Sequence, residues 1–402
     1  MKKELNVVLI GLGYIGLPTA ALIASKGIRV HGVDISKRVV DTINAGKIHI
    51  VEPDLDGLVK HVVDRGMLTA STTPAPADVF VVAVPTPFKG DHEPDLSYVE
   101  SATESALPYL KPGDLFIIES TSPVGTTEHI HGLISKKRPE LIGKIHMAYC
   151  PERVLPGNVI HELKHNDRVI GGMNEEATDK ALEFYGLFVS GQMHRTNSRT
   201  AEMCKLVENS YRDTNIAFAN ELSMICDVAG INVWELIHLA NRHPRVKILQ
   251  PGPGVGGHCI AVDPWFIVSS YPQQAKIIRA AREVNNFKTE WALQKIEGAI
   301  EVLKQQLGRT PKVACLGLAF KPNIDDLRES PALHLVEMLM EKKYNILPVE
   351  PNVHEFSRFK LVNQDDAIDQ ADLVVVLVKH RHFEQLTFKV PVLDFCGLGQ
   401  PA

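Results

Sequence analysis

NVVLIGLGYIGLPTAALIASKGIRVHGVD, residues 6–34, decides how the first part of the chain must fold. An apolar run ending at Ile10 leads into Gly11-Leu12-Gly13-Tyr14-Ile15-Gly16. A helical pattern continues through Thr19 to Ser25, and a second strand-like run ends at Asp34. A strand, a G-x-G-x-x-G turn, a helix and then an acidic residue roughly 20 positions on form the pattern of a dinucleotide-binding βαβ unit. Gly11 permits the tight turn, Gly13 lets the main chain approach a pyrophosphate, and Gly16 allows close helix packing. The helix N-terminus offers N–H groups and positive dipole to the phosphates. The Asp34 carboxylate would accept ribose hydroxyls and repel a 2′-phosphate, which favours NAD. Arg38, a short way on, is the nearby cation that would admit NADP instead.

The same stretch also imitates a secretion signal or a membrane span, because Lys2 and Lys3 precede an uncharged run from Val7 to Ala24. Glu4 in the basic region, and Gly11, Gly13, Gly16 and Pro18 within the run, argue for the phosphate-binding turn. Beyond it, apolar runs at 78–85, 114–120 and 144–151 alternate with helical patterns, so a parallel, doubly wound sheet is expected. A period-3.6 segment then runs from Ser198 to about Ala229, with a second helical stretch from Val233. Strand and helix alternation resumes after Pro311, with KVACLGLAF (312–320), a helix from Ser330 to Lys343, NILPVEP (345–351) and DLVVVLVKH (372–380). The expected fold is α/β: two Rossmann-like doubly wound domains, 1–196 and 301–402, joined by a helical region over 197–300. The two α/β halves read as distant echoes of each other.

Length and composition agree with an enzyme of several domains: 402 residues, 45% hydrophobic and 23% charged. The net charge of −5 gives no basic field for nucleic acid or an anionic membrane, so an anionic ligand must be held by locally placed Lys and Arg. Cys150, Cys204, Cys226, Cys259, Cys315 and Cys396 form no C-x-x-C pair, which fits reduced thiols in a cytoplasmic enzyme.

One thiol stands in a setting suited to chemistry. PGPGVGGHCIAVDP, residues 251–264, puts Cys259 after four glycines, where backbone N–H groups and a ligand can come close. A small core residue is the plainer alternative. Lys205, Asn209 and Arg212 fall at i, i+4 and i+7 of the helix from Ser198 and share one face of it. A dehydrogenase with a nucleophilic Cys has a specific meaning. Thiolate adds to an aldehyde, the thiohemiacetal loses hydride to a second NAD, and water releases an acid from the thioester.

A competing motif is HELKH, residues 161–165, which matches the H-E-x-x-H of zinc proteases. Gly157 before it and Asn166-Asp167 after it confine the helix to about two turns, and no third ligand motif follows, so no metal is expected.

Seven motifs in order resemble the nucleotide-sugar 6-dehydrogenases related to UDP-glucose dehydrogenase: GLGYIGLP (11–18), VPTP (84–87), ESTSPVGTT (119–127), CPERVLPG (150–157), AEMCKLVENSYR (201–212), PGVGGHCIAVDP (253–264) and GLAFKPNIDDLRESPA (317–332). Residues 85–101, 196–206 and 241–259 look most like the branch that oxidises UDP-N-acetyl-D-mannosamine to the uronate used in surface polysaccharides. UDP-N-acetylglucosamine and UDP-glucose are alternative substrates, and a non-catalytic sensor of NAD and UDP-sugar is a remote alternative. The resemblance implies Cys259 as nucleophile, Lys205 as stabiliser of the oxyanion, Asn209 beside them, and Glu152 and Asp263 as residues that position or activate water. It implies NAD contacts from Tyr14, Ile15, Asp34, Thr86 and Thr121, with Arg328 arriving from the C-terminal domain. Arg153, Val154, Lys205, Asn209, Arg212, Gly256, Phe320 and Lys321 would hold the UDP-sugar, and His243 and Arg245 would come from a partner subunit of a homodimer. The basic run Lys379-His380-Arg381-His382-Phe383 departs from the family pattern.

Overall fold

In a computed structural model the described residues are 5–50, 52–90, 92–154, 157–257, 259–353 and 356–399. Lys2, Lys3, Glu4 and His258 lie outside them. The chain divides into two compact units, residues 1–207 and 208–402.

The N-terminal unit runs β1 (Asn6–Ile10), α1 (Gly16–Ser25), β2 (Arg29–Val33), α2 (Lys37–Asn44), α3 (Leu55–Asp64), β3 (Leu68–Ser71) and β4 (Val79–Val82). A short antiparallel hairpin, β5 (Phe88–Lys89) and β6 (Glu93–Pro94), precedes α4 (Ser97–Ala106), β7 (Leu115–Ile118), α5 (Thr126–Lys137) and β8 (His146–Tyr149). It continues through α6 (Val159–His165), β9 (Arg168–Gly172), α7 (Glu175–Tyr185), β10 (Met193–Asn197) and the start of α8 (Ser198–Ala229).

Its sheet has the order β10-β9-β8-β7-β4-β1-β2-β3. Strands β4, β7 and β8 are buried at every residue, the pattern of strands covered by helices on both faces. Period-2 geometry divides β1 between two cores, with Val7 and Leu9 in one and Val8 and Ile10 in the other. In α1 every residue from Gly16 to Ala24 is buried. The uncharged run that imitates a membrane span is thus a central strand followed by a fully covered helix. No helix among the described residues is long and apolar enough to cross a membrane.

The sheet departs from uniform parallel pairing at one place, since β8 and β9 are antiparallel. This register pairs the end of β9 with the end of β8, so the start of β9 runs on past β8 and brings Arg168 beside the segment just past Tyr149.

The C-terminal unit takes the rest of α8, then α9 (Val233–Ala240), α10 (Asp263–Ser270) and α11 (Lys276–Leu307). These lead to β11 (Lys312–Leu316), α12 (Pro331–Glu341), β12 (Asn345–Val349), α13 (Gln364–Gln370), β13 (Leu373–Val376) and β14 (Val392–Asp394). Its four strands are all parallel, in the order β12-β11-β13-β14. Val313 and Cys315 face one core, Ala314 and Leu316 the other. At 32 residues each, α8 and α11 are about 48 Å long. A buried polar seam joins them: Arg282 donates to Asp213 (2.7 Å), and Asn285 donates to the same carboxylate (2.8 Å) while accepting from Asn220 (2.9 Å).

Candidate active site

In the N-terminal unit the strand order reverses between β1 and β4, and doubly wound sheets bind ligands at the C-terminal edge of such a switch point. Gly11 sits there at φ +96°, donates its N–H to Val33 O (2.8 Å), and would put a Cβ 2.5 Å from Ala83 O. A Cβ on Gly16 would lie 1.7 Å from Gly11 O, whereas one on Gly13 would meet nothing within 4 Å. The turn and the helix packing account for Gly11 and Gly16, and the open face of Gly13 leaves main chain for a pyrophosphate. Among the described residues no side chain caps α1; Leu17 N donates to Gly13 O (3.1 Å) and Pro18 has no N–H, so in the first three residues of the helix it is the Gly16 amide that is left for an anion. Asp34 accepts from Leu12 N (3.1 Å) and Ser36 N (2.9 Å), which fixes its carboxylate at the end of β2 with lone pairs left for ribose hydroxyls. Tyr14 and Arg38 are exposed and Ile15 is half-buried around this turn. These residues fit a bound dinucleotide.

The neighbouring strand ends are knitted by the sequence motifs. Thr86 donates its hydroxyl to Thr121 O (2.6 Å), and Val84 N donates to Ser120 Oγ (2.9 Å), joining the segments after β4 and β7. Buried Glu202 of α8 accepts from Gly125 N (2.6 Å) and from the amide and hydroxyl of Thr127 (both 2.7 Å). Lys205, on the next turn of that helix, is half-buried.

Past β8, Glu152 is buried and fully engaged. Its Oε1 accepts from Arg153 N (2.6 Å) and Val154 N (2.9 Å), and its Oε2 accepts from Arg168 Nη1 (2.8 Å). Glu119 lies in the same interior, where Tyr185 donates its hydroxyl to it (2.6 Å). Burial pushes the Glu119 carboxyl up to about 7, against the pull of Arg168 and with the repulsion of Glu152. Neither Arg168 nor Tyr185 stood out in the sequence, since a lone Arg in RVIGG carries no local signal.

In the C-terminal unit, Asn209 donates to Asp263 (2.5 Å). Asp263 N and Val262 N both donate to Cys259 O (2.8 and 3.0 Å), so the cysteine's own carbonyl begins the turn that leads into α10. Nucleophile candidate, Asp263 and Asn209 are thereby brought together. The glycine loop before them rests on α11 and the central seam. Thr289 donates to Pro253 O (2.9 Å), and Gly252 N donates to Asn220 Oδ1 (2.9 Å). A Cβ on Gly256 would lie 2.4 Å from Glu329 O, and one on Gly257 would lie 3.0 Å from the Phe320 ring. Three other thiols are held in the neutral form. Burial pushes Cys150 and Cys315 up to about 12, and burial with the Asp394 charge lifts Cys396 well above the ordinary thiol range.

The remaining expected residues lie at the surface. Lys321 and Arg212 are exposed, and exposed His243 accepts from Arg245 N (3.3 Å) in the segment after α9. Arg328 forms a paired contact with Asp326 (2.6 Å at its shortest). In HELKH, His165 Nδ1 is bonded to His161 O (2.8 Å) and the two rings lie 4.2 Å apart, tilted by 30°. Among the described residues no cluster of three His, Cys, Asp or Glu side chains is placed to hold a metal.

Family models of the UDP-glucose/GDP-mannose dehydrogenase family match three stretches: its NAD binding domain over residues 5–189, its central domain over 199–287 and its UDP binding domain over 314–393. The chain is 56% identical to UDP-N-acetyl-D-mannosamine dehydrogenase of Escherichia coli K12, over 94% of each chain. It is 53% identical to NDP-N-acetyl-D-galactosaminuronic acid dehydrogenase of Ralstonia nicotianae, over 95% of this chain and 92% of that one. The solved UDP-N-acetyl-mannosamine dehydrogenase of S. aureus superposes with a TM-score of 0.88 at 40% identity, over 99% of this chain and 96% of the other. Motifs, strand order and whole-length likeness agree, and the chain belongs to the UDP-glucose/GDP-mannose dehydrogenase family.

Proposed function

We propose that the chain oxidises the C6 hydroxymethyl of UDP-N-acetyl-D-mannosamine to the carboxylate, giving UDP-N-acetyl-D-mannosaminuronate for a surface polysaccharide. The balance is one alcohol, two NAD and one water giving one carboxylate, two NADH and three protons. The observation that carries the reading is the linkage of Cys259, Asp263 and Asn209, on a glycine loop backed by Phe320, in a chain whose first turn fits NAD. The 56% likeness to the E. coli enzyme supports the choice of sugar.

NAD supplies a hydride acceptor, bound once for the alcohol and again for the thiohemiacetal. Gly11, Gly13, Tyr14, Ile15, Gly16 and Asp34 hold it, with Thr86, Thr121, Arg38 and Arg328 as further contacts. The Cys259 thiolate adds to the C6 aldehyde and forms the carbon–sulfur bond. Lys205 stabilises the resulting oxyanion. Asp263, oriented by the Asn209 amide, positions and deprotonates the water that cleaves the thioester and returns the thiol. Glu152 contributes by ordering the Arg153 and Val154 amides. Arg153, Val154, Lys205, Asn209, Arg212, Gly256, Phe320 and Lys321 grip the UDP-sugar, so a chain of net charge −5 meets a diphosphate with local cations.

The division into a cofactor domain (1–196), a helical domain (197–300) and a UDP-sugar domain (301–402), the cytoplasmic location and the homodimer belong to the same proposal. Val228 is 87% exposed, and Ile225 and Phe287 lie open on α8 and α11, an apolar face that a second subunit would cover and from which His243 and Arg245 would reach it. Sedimentation should then give twice the 44.4 kDa chain mass, and a monomer would refute the dimer.

The substrate is tested by mixing the protein with NAD and UDP-N-acetylmannosamine, UDP-N-acetylglucosamine or UDP-glucose and reading NADH absorbance. The highest kcat/KM is expected with the mannosamine sugar. A preference for either of the others would overturn the sugar assignment, and no signal with any would favour a sensor.

A further inference from the structure

The C-terminal unit repeats the geometry of the cofactor turn, bond for bond, at the ends of β11 and β12. Gly317 takes φ +87° and donates to Val349 O (2.9 Å), as Gly11 at φ +96° donates to Val33 O (2.8 Å). Leu318 N donates to Glu350 (2.7 Å) as Leu12 N donates to Asp34 (3.1 Å). Asn352 N closes on Glu350 (3.0 Å) as Ser36 N closes on Asp34 (2.9 Å). Even the third strand matches, with Leu377 N on Leu316 O (2.9 Å) where Ala83 N meets Ile10 O (2.8 Å).

The two turns then part. Asp34 is half-exposed, and beyond its bonds from Leu12 N and Ser36 N its carboxylate has lone pairs to spare for a ribose. Glu350 is only 4% exposed and is sealed by His380, whose Nε2 lies 3.0 Å from Glu350 Oε2. The Asn323 amide donates to His380 Nδ1 (2.9 Å), which fixes the tautomer: Nδ1 accepts, and Nε2 carries the proton given to Glu350. Asn352 Nδ2 completes the contact at Nδ1 (3.0 Å). A second difference is the stretch between the turn and its helix. Where α1 begins at Gly16, α12 waits until Pro331, and the intervening loop carries Phe320 and Lys321.

That loop is tied at both ends by the buried pair. Leu318 N and Ala319 N donate to Glu350 (2.7 and 2.9 Å). At the other end Asn323, held at φ +61°, gives its amide to His380 and accepts from Arg381 N (2.8 Å). Phe320 between these anchors lies against Gly256 and Gly257, whose added Cβ atoms would come within 2.9 Å and 3.0 Å of it. We infer that His380 and Glu350 are positioning residues: the histidine occupies the place a ribose would take in the first turn, and the pair locks Leu318–Asn323 so that Phe320 and Lys321 meet the uridine diphosphate while Phe320 backs the loop of Cys259. The basic run Lys379–Phe383 thus contains the lock of the substrate loop. This inference rests on the proposed UDP-sugar activity.

The test measures UDP and NAD binding by calorimetry, with kcat and KM for the UDP-sugar, in the wild type, His380→Leu, His380→Asn and Glu350→Gln. Loss of hydrogen bonds on a buried carboxylate should weaken UDP binding about tenfold or more in His380→Leu, raise KM in parallel and leave NAD affinity within about twofold. His380→Asn, which keeps an acceptor for the Asn323 amide, should recover part of that loss. If His380→Leu fails to fold, the isosteric Glu350→Gln carries the same expectation. Unchanged UDP affinity and KM in a folded variant would overturn the inference, as would equal loss of UDP and NAD binding. A wild-type chain that binds no UDP would instead refute the proposed activity itself.

Discussion

At Cys259 the fold keeps a half-buried thiol on a glycine loop, while Cys150 and Cys315 are buried and Cys396 is held neutral beside Asp394. Cys259→Ser should therefore reduce uronate release by about three orders of magnitude or more while UDP and NAD still bind. Release near the wild-type rate would remove the covalent route. Glu119 makes a different prediction. Its folded carboxyl is raised from 4.5 to about 7, so its contribution to stability is complete below about 4.5 and is lost as pH rises through about 7. Urea midpoints should fall more between pH 5 and pH 8 in the wild type than in Glu119→Gln, and equal falls would contradict the assignment. Gly11, Gly13, Gly16 and Asp34 were legible because each answers a local steric or hydrogen-bonding demand. The Arg168–Glu152 pair and the Tyr185–Glu119 bond were not, because strand register makes the first and the packing of α7 on the sheet makes the second, and periodicity carries no trace of either.

Among the elements, α8 was legible to its ends, since 3.6-residue periodicity persists over its whole length. Strands β9 and β10 were not. In RVIGG the glycines serve close packing: a Cβ on Gly171 would lie 2.2 Å from Asn197 O and one on Gly172 2.4 Å from Thr178 N. The residues of β10, MHRTN, form a polar edge with no apolar alternation. The crossing of α8 and α11 was equally hidden, because its seam of Asp213, Arg282, Asn285 and Asn220 is polar where a helix interface is expected to be apolar. Arg282→Ala would leave the buried Asp213 carboxylate without its cation and should cost about 3–5 kcal/mol in urea unfolding. A loss below about 1 kcal/mol would mean that the seam does not depend on that charge pair. Because Asn220 also holds Gly252, this variant should disturb the cysteine loop as well as stability.

Across the molecule, two dinucleotide-type turns are built on one plan and put to different ends. The first keeps its acidic residue open and its glycine face clear. The second fills the equivalent place with a buried histidine and lengthens the loop. The two α/β halves read as distant echoes in sequence, but the closure by His380 depends on β12 and β13 flanking β11, so that the residues after both strands meet at one edge. On the proposed mechanism the chain binds NAD twice in each turnover, the second time before the Cys259 thiohemiacetal is oxidised to the thioester. The most direct measurement is the NADH formed per UDP-N-acetylmannosamine consumed, with NAD in excess. The account predicts two NADH and a uronate product, and one NADH with an aldehyde product would contradict it.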